Sequence, residues 1–379
     1  MERIKVLVVS SVVPSASGSG GELVLHRHLK SNPRIECEVV SWKQFPFRLK
    51  VIGKLRELGF RSLSRSLECL FPVLPSSKMI DDLVHSFGPD VVVTVAHGWW
   101  HLRAREVATR FQLPLVSFFQ DWWPDFPDVP SRFRSQVEQQ FRRTCAASAV
   151  AICVSEGMRN ELGSSSHALV IHDVPFFTTR AVASLDVTVP MRLAYFGNLG
   201  EYGPLVEDAL CALRDSKRIR LEVFGSSPLW SSKAVDEFRS LGVYHGFLPT
   251  DQLVESLQQF QAVLVVMSFA PEFRRRMMTS FPSKMINAMQ LGLPVVVWGP
   301  EYCSAVQWSR RGNRALCVTD PNALSLRQAL EALADSPFEQ ERLAKSAREA
   351  AAGDFSSERI QEEFVGVLNR AICPPDAAA

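Results

Sequence analysis

The chain lacks the features that would commit it to a membrane, a metal or a nucleic acid. No apolar stretch reaches the roughly 18–20 residues that a membrane-spanning helix needs. The opening segment, MERIKVLVVSS, has no small-residue cleavage pattern and reads as a first core strand rather than a signal peptide. Neither sign of charge dominates: 42 Lys and Arg stand against 40 Asp and Glu, a formal net charge of +2. That balance gives no reason to expect a nucleic-acid partner. Eight cysteines are scattered at Cys37, Cys69, Cys145, Cys153, Cys211, Cys303, Cys317 and Cys373, with no CxxC pair and no zinc spacing. Several lie in apolar runs, as Cys153 does in AVAICVS, where a thiol behaves as a small hydrophobe. A reduced, cytoplasmic setting is the expectation. No DxD is present, and Asp121, Asp125 and Asp128 sit among prolines. No metal and no cofactor are expected.

A dinucleotide fingerprint is missing as well. The first strand is followed by SVVPSASGSGGE instead of a tight GxGxxG, and the second ends in Ser41-Trp42 instead of an acidic residue. A nicotinamide enzyme is therefore not indicated.

What is present is a repeated grammar. The chain's 379 residues suffice for two domains. Short apolar runs alternate with helical periodicity: IKVLVVS from Ile4, CEVVSW from Cys37, DVVVTVA from Asp90, PLVSFF from Pro114, AVAICVS from Ala149 and ALVIH from Ala168. Strands apolar on both faces are what a parallel sheet covered by helices requires. The pattern pauses over DVPFFTTRAVASLDVTVPM, read as a linker, then restarts with RLAYFG, IRLEVFG, AVLVVMSF, PVVVW and RALCV. The expectation is an α/β protein of two Rossmann-like, doubly wound domains, 1–175 and 190–355, facing one cleft, with a last helical segment at 356–373.

The stretch from Phe45 to Lys78 breaks this grammar. It carries Arg48, Lys50, Lys54, Arg56, Arg61, Arg65 and Lys78 against Glu57 and Glu68, with leucines at helical spacing. A solvated helical insertion is one reading. Peripheral contact with an anionic lipid surface or anionic acceptor through residues near 48–65 is the other.

Three places carry candidate chemistry. The glycine-rich turn can present the N–H groups of Gly20 and Gly21 at a helix N-terminus, where anions are favoured. Two strand ends are aromatic: His97-Gly98-Trp99-Trp100 and Gln120-Asp121-Trp122-Trp123-Pro124-Asp125. Trp99, Trp100 and Trp122 offer stacking faces for a sugar, Gln120 a hydrogen-bonding amide, and His97 and Asp121 contacts to the transferred sugar or acceptor. The third is FRRRMMTSFPSKMINAMQLGLPVVVWGPE, with Ser283 read as the N-cap of a helix to about Leu291. Lys284 in its first turn makes a diphosphate site, and Asn287 one turn on reaches a ribose hydroxyl.

That last segment resembles the donor-binding signature of retaining GT-B glycosyltransferases, particularly family 4, with its ending A-x-G-x-P-V-V. Other segments look similar in the same order. FFQDWWPD resembles the "HD-x-WP" strand end, AICVSEGMRNEL the interdomain serine motif, LAYFGNLGEYG the start of the second domain, and VYHGFLPTDQLVESL the "G-F-x-P-x-x-x-L" stretch. The resemblance implies transfer of a sugar from a nucleotide diphosphate, UDP- or GDP-linked, to a hydroxyl of a carbohydrate, glycolipid or glycosylated acceptor, with retention and without metal. It also implies that the last helix, with Ile360, Phe364, Val367, Leu368 and Ile372 on one face, crosses back to the first domain. The chain departs from the pattern at Gln120, Thr279 and Asn287, where the family has His and two acidic residues. The loop Gly197-Asn198-Leu199-Gly200-Glu201-Tyr202-Gly203 lacks the family's Arg and Lys. Lys284 and Arg274, Arg275 and Arg276 are the cations available instead, and Arg275 joins Gly197 and Asn198 as a donor-site candidate. A non-catalytic sugar- or partner-binding protein and a sugar-nucleotide epimerase are the alternatives.

Overall fold

Runs such as VVVTV and AVLVV have no polar face, so they are stable only where helices cover both sides of a sheet. The computed structural model, which describes residues 3–18, 20–41, 47–177, 190–226 and 228–374, with backbone alone at 47–50, places them accordingly. The chain divides into two units, Met1–Val174 with Ile360–Ala379, and Pro175–Arg359. Most of the stretch read as a linker, 178–189, lies outside the described residues.

In the first unit the strands are β1 Ile4–Val8, β2 Ile35–Val39, β3 Val91–Val95, β4 Leu115–Phe119, β5 Val150–Cys153 and β6 Ala168–Val170. All pair in parallel, in the order β2-β1-β3-β4-β5-β6. The second unit has β7 Met191–Phe196, β8 Ile219–Phe224, β9 Tyr244–Gly246, β10 Ala262–Val266, β11 Val295–Trp298 and β12 Leu316–Val318. These are also parallel, in the order β12-β11-β10-β7-β8-β9. Both sheets are thus doubly wound, and the winding reverses between β1 and β3 and between β7 and β10. At such a switch point the loops leaving the two strands diverge to opposite faces and open a crevice at the carboxyl ends. β9 is not among the strands legible in the sequence, because Tyr244-His245-Gly246 is not an apolar run.

The sheet of the first unit has two apolar faces. Val6, Val8, Val93 and Phe118 belong to one cluster, and Leu7, Val9, Val92 and Leu115 to the other. The helix Ser357–Ile372 closes the first face with Ile360, Phe364, Val367 and Leu368. The Phe364 ring lies 5.6 Å from Phe118 and 4.9 Å from His28, and is fully buried. Phe364→Ala should therefore lower the unfolding free energy of this unit by about 3–5 kcal/mol, read by urea denaturation.

The second sheet buries one charge. Glu222, in β8, is 4% exposed and accepts hydrogen bonds from Arg192 Nε at 2.9 Å and His245 Nε2 at 2.8 Å. Burial alone would raise its pKa, but these partners outweigh it and hold the carboxyl down to about 2. The stabilisation is present above the ordinary glutamate range and is lost as pH falls toward 2. The loss of thermal stability caused by Glu222→Gln should accordingly shrink between about pH 6 and about pH 3.

Candidate functional site

The crevice-forming loops of the second unit begin where β7 ends. The turn Gly197-Asn198-Leu199-Gly200-Glu201-Tyr202 opens with Gly197 at φ 120°, a conformation that glycine tolerates best. Gly225, just past β8, faces it so closely that a Cβ there would stand 2.3 Å from the Gly197 carbonyl oxygen. The Asn198 side chain closes the turn by accepting from Gly200 N at 2.7 Å, and its carbonyl accepts from the Tyr195 hydroxyl at 2.6 Å.

Against this turn stands the helix Ser283–Gln290. Its N-cap is Pro282, in extended backbone geometry, and Ser283 is the first helical residue with no capping bond. The expectation of Ser283 as N-cap is thus corrected by one position: proline, with its fixed φ and no N–H, leads into the first turn at no loss of a donor. Lys284 does occupy that first turn. Its Nζ donates to Tyr195 Oη at 3.1 Å and lies 4.4 Å and 5.0 Å from the ring centroids of Tyr195 and Tyr202. A Cβ on Gly197 would be 3.4 Å from Nζ, so the amine faces the glycine turn. Burial pushes its pKa down to about 7, with the Glu201 carboxylate opposing the shift.

Glu201 and Tyr195 complete this group, and sequence reading assigned a role to neither. Tyr195 is fully buried and resembles any core strand residue, and Glu201 lies in a loop read only for the cations it lacks. Glu201 pairs with Arg276 at 2.9 Å, both side chains being mostly buried. Of the three arginines, Arg276 is therefore held beside the turn, while Arg274 lies over the Tyr302 ring at 4.1 Å. Arg275, the sequence's choice, is half-buried in the helix Arg274–Thr279, where its carbonyl accepts from Thr279 Oγ1 at 2.9 Å.

Asn287 requires a correction of substance. It is 1% exposed. Its Oδ1 accepts from Phe176 N at 2.8 Å and Phe177 N at 3.3 Å, and its Nδ2 donates to Ser283 O at 2.7 Å. With both Oδ1 lone pairs and one Nδ2–H committed to backbone, this buried side chain keeps a single amide N–H for any ligand.

The first unit gathers its candidates around the switch point between β1 and β3. Gly20, at φ 51°, precedes the short helix Gly21–Leu25. A Cβ on Gly21 would lie 2.3 Å from Gln120 Oε1, so the glycine turn closes on the end of β4. Gln120 Nε2 is buried with no hydrogen-bond partner among the described residues. Ser11 Oγ donates to the His97 carbonyl at 2.6 Å, joining the turn to the end of β3. The His97 ring lies edge-on to Phe126 at 5.0 Å, and Trp99 edge-on to Trp123 at 5.1 Å. Both His97 and Trp99 keep part of their surface open.

Two of the predicted stacking tryptophans do not. Trp122 is fully buried against Phe141 at 5.0 Å, with the Arg142 guanidinium over its ring, and Trp100 is 6% exposed in the core beneath β3. Neither has a free face for a sugar, because the strand end turns them inward to cover the sheet. Asp173, past β6, is a functional candidate that the sequence did not reveal. Burial first, and the charge of Asp121 second, raise its pKa to about 7. Both acids follow strand carboxyl ends, which was the available signal.

Among the described residues no group of three or more His, Cys, Asp or Glu is placed to hold a metal ion, and no helix is long and apolar enough to cross a membrane.

The same architecture occurs in solved glycosyltransferase structures. Anabaena HepE, in complex with UDP and glucose, matches with a TM-score of 0.64 at 16% identity, over 97% of this chain and 100% of that one. Sucrose-phosphate synthase from Thermosynechococcus elongatus matches at 0.63 and 16%, over 100% of both. A glycosyltransferase from Rickettsia africae matches at 0.66 and 12%, over 98% of this chain and 99% of that one. The fold is GT-B. No family model and no curated protein sequence matches the chain. The GT-B likeness, at such identities, is one of fold.

In this GT-B chain Asn287→Ala should lower stability by about 1–3 kcal/mol, since two backbone N–H groups lose their acceptor. Thermal unfolding checks it. An unchanged melting temperature together with a lost affinity for nucleoside would restore the ribose role.

Proposed function

We propose that the protein is a glycosyltransferase that moves a sugar from a nucleotide-diphosphate donor to an acceptor hydroxyl, with retention and without metal. The observation that carries this is Lys284: an amine enclosed at a helix N-terminus, facing a glycine turn at a sheet switch point. A cation there is disfavoured by the helix dipole, and a diphosphate reverses the balance by attracting both the N–H groups and the ammonium. As the bond from the anomeric carbon to the diphosphate breaks, negative charge grows on the leaving group, and fixed positive charge lowers that barrier. Arg276, already paired to Glu201, is the second cation within this group. The bound UDP and UDP-glucose of HepE favour a UDP-linked donor over a GDP-linked one. Gly20, Gly21, Gly197, Asn198, Arg275 and Ser283 remain assigned to the donor.

In the first unit, His97, Asp121, Trp99 and Gln120 are assigned to the transferred sugar or the acceptor, a carbohydrate, glycolipid or glycosylated molecule. The Gln120 Nε2, without a hydrogen-bond partner among the described residues, suits a sugar hydroxyl. A cytoplasmic protein meeting the inner membrane face peripherally through residues near 48–65 fits a glycolipid acceptor. The second reading, a non-catalytic GT-B sugar- or partner-binding protein, draws on Asn287, whose commitment to backbone removes one donor contact that the family pattern leads one to expect.

The pKa of Lys284 makes the proposal testable. Above about pH 7 the free amine is largely neutral, so binding a diphosphate should take up a proton, and affinity should fall as pH rises past that value. Calorimetry with UDP in buffers of different ionisation heat should show the uptake in the native protein and none in Lys284→Met. The substitution should weaken UDP about tenfold or more and leave uridine nearly unchanged. Equal losses for UDP and uridine would remove Lys284 from the diphosphate site. Sugar transfer assayed with a donor panel separates the two readings: tight donor binding without turnover for any acceptor favours the binding protein.

A further inference from the structure

Half of the large apolar side chains exposed among the described residues lie in one short segment. They are Val51, Leu58, Phe60, Leu63, Leu70 and Phe71, each at least 40% exposed. This segment forms the helices Phe47–Glu57 and Arg61–Leu70. The second of them faces the wrong way for a soluble protein. It buries Ser64, Ser66 and Cys69, while Leu63 and Leu70 are more than half exposed. At about 100° per residue, Phe60, Leu63, Leu67, Leu70 and Phe71 fall on one stripe.

The inverted orientation is held in place. Ser64 Oγ and Ser66 Oγ turn back to their own helix, donating to Arg61 O at 2.9 Å and Ser62 O at 2.7 Å, and the tie to the rest of the unit is Arg132, which donates to Ser66 Oγ. Arg56 Nη2 and Glu68 Oε2 join the two helices at 2.6 Å. An amphipathic surface helix ordinarily turns its apolar stripe to the core. Here the polar side is anchored, and the apolar side is presented.

Charge identifies what covers it. From Arg48 to Phe71 there are six cations, Arg48, Lys50, Lys54, Arg56, Arg61 and Arg65, against Glu57 and Glu68, a net +4. The whole chain has +2, so everything outside this segment sums to −2. A second copy of the same face would bring two positive patches together. A nucleic acid would leave the leucines and phenylalanines in water. A bilayer with anionic headgroups satisfies both features.

We propose that these two helices dock on an anionic lipid bilayer, with Leu58, Phe60 and Leu63 entering the boundary between headgroups and acyl chains. Lys54 and Arg61 reach lipid phosphates with their charged ends, while Arg65, about 200° around the helix from both Leu63 and Leu67, lies off the apolar stripe and adds to the attraction only through its charge. The inference does not depend on sugar transfer, since it uses no residue assigned to donor or acceptor.

The test is sedimentation of the full-length protein with vesicles of phosphatidylcholine alone and of phosphatidylcholine with phosphatidylglycerol. Binding to the anionic vesicles should be tighter by about tenfold or more. Leu58→Ser, Phe60→Ser and Leu63→Ser together should weaken it at both low and high salt. Lys54→Gln, Arg61→Gln and Arg65→Gln together should weaken it chiefly at low salt, where charge attraction is least screened. Anionic vesicles should also slow amide hydrogen exchange over residues 58–71 of the unaltered protein, which decides the matter if a variant fails to fold. Equal binding to both vesicle types, no exchange protection, or native binding by the apolar variant would overturn the proposal. So would a self-associating protein whose dimer is lost with those same three substitutions.

Discussion

A parallel strand has no solvent side, and most of this structure answers to that constraint. Every strand in both sheets pairs in parallel, so both faces must be covered, and the helices exist largely to cover them. The terminal helix meets this need for one face of the first sheet, and Trp100 and Trp122 meet it elsewhere. Many of the candidate functional residues lie past strand ends, where side chains are released from packing, while Lys284 lies at a helix start instead. His97, Gln120, Asp173, Gly197 and Gly225 are all just past a strand.

The second unit encloses an amine at some expense to the fold. Enclosing an amine lowers its affinity for a proton, and in the interval between a pKa near 7 and that of a free lysine the unfolded chain holds more protons than the folded one. Over that interval Lys284 opposes folding, less so as pH rises. Glu201 and the two tyrosine rings offset part of this. A ligand carrying negative charge would offset more, which is the physical basis of the proposed diphosphate site.

The sheets were legible because strands buried on both faces are unbroken apolar runs, and β9 was missed because Tyr244-His245-Gly246, with a polar and a glycine residue in three, is not one. Lys284 was legible because a helix start can be placed from the Pro-Ser-Lys sequence. Its partners were not: nothing in the string YFGNLGEYG says that Tyr195 and Glu201 converge on an amine from a distant helix. Asn287 misled because spacing along a helix tells which face a residue occupies, and not that Phe176 and Phe177 supply the backbone it binds. The tryptophans misled for the opposite reason: an aromatic at a strand end can face a ligand or the core, and periodicity does not distinguish the two.

The terminal helix also has a consequence for biosynthesis. The second unit, Pro175–Arg359, is continuous in sequence, whereas the first is completed only by residues from Ile360 onward. On the ribosome the strands β1 to β6 emerge early, yet one face of their sheet lacks Phe364 and its neighbours until the whole second unit has been made. Domains ordinarily fold in order of emergence. In this chain the unit that begins first finishes last, and its uncovered face is the surface that a chaperone would have reason to hold in the meantime.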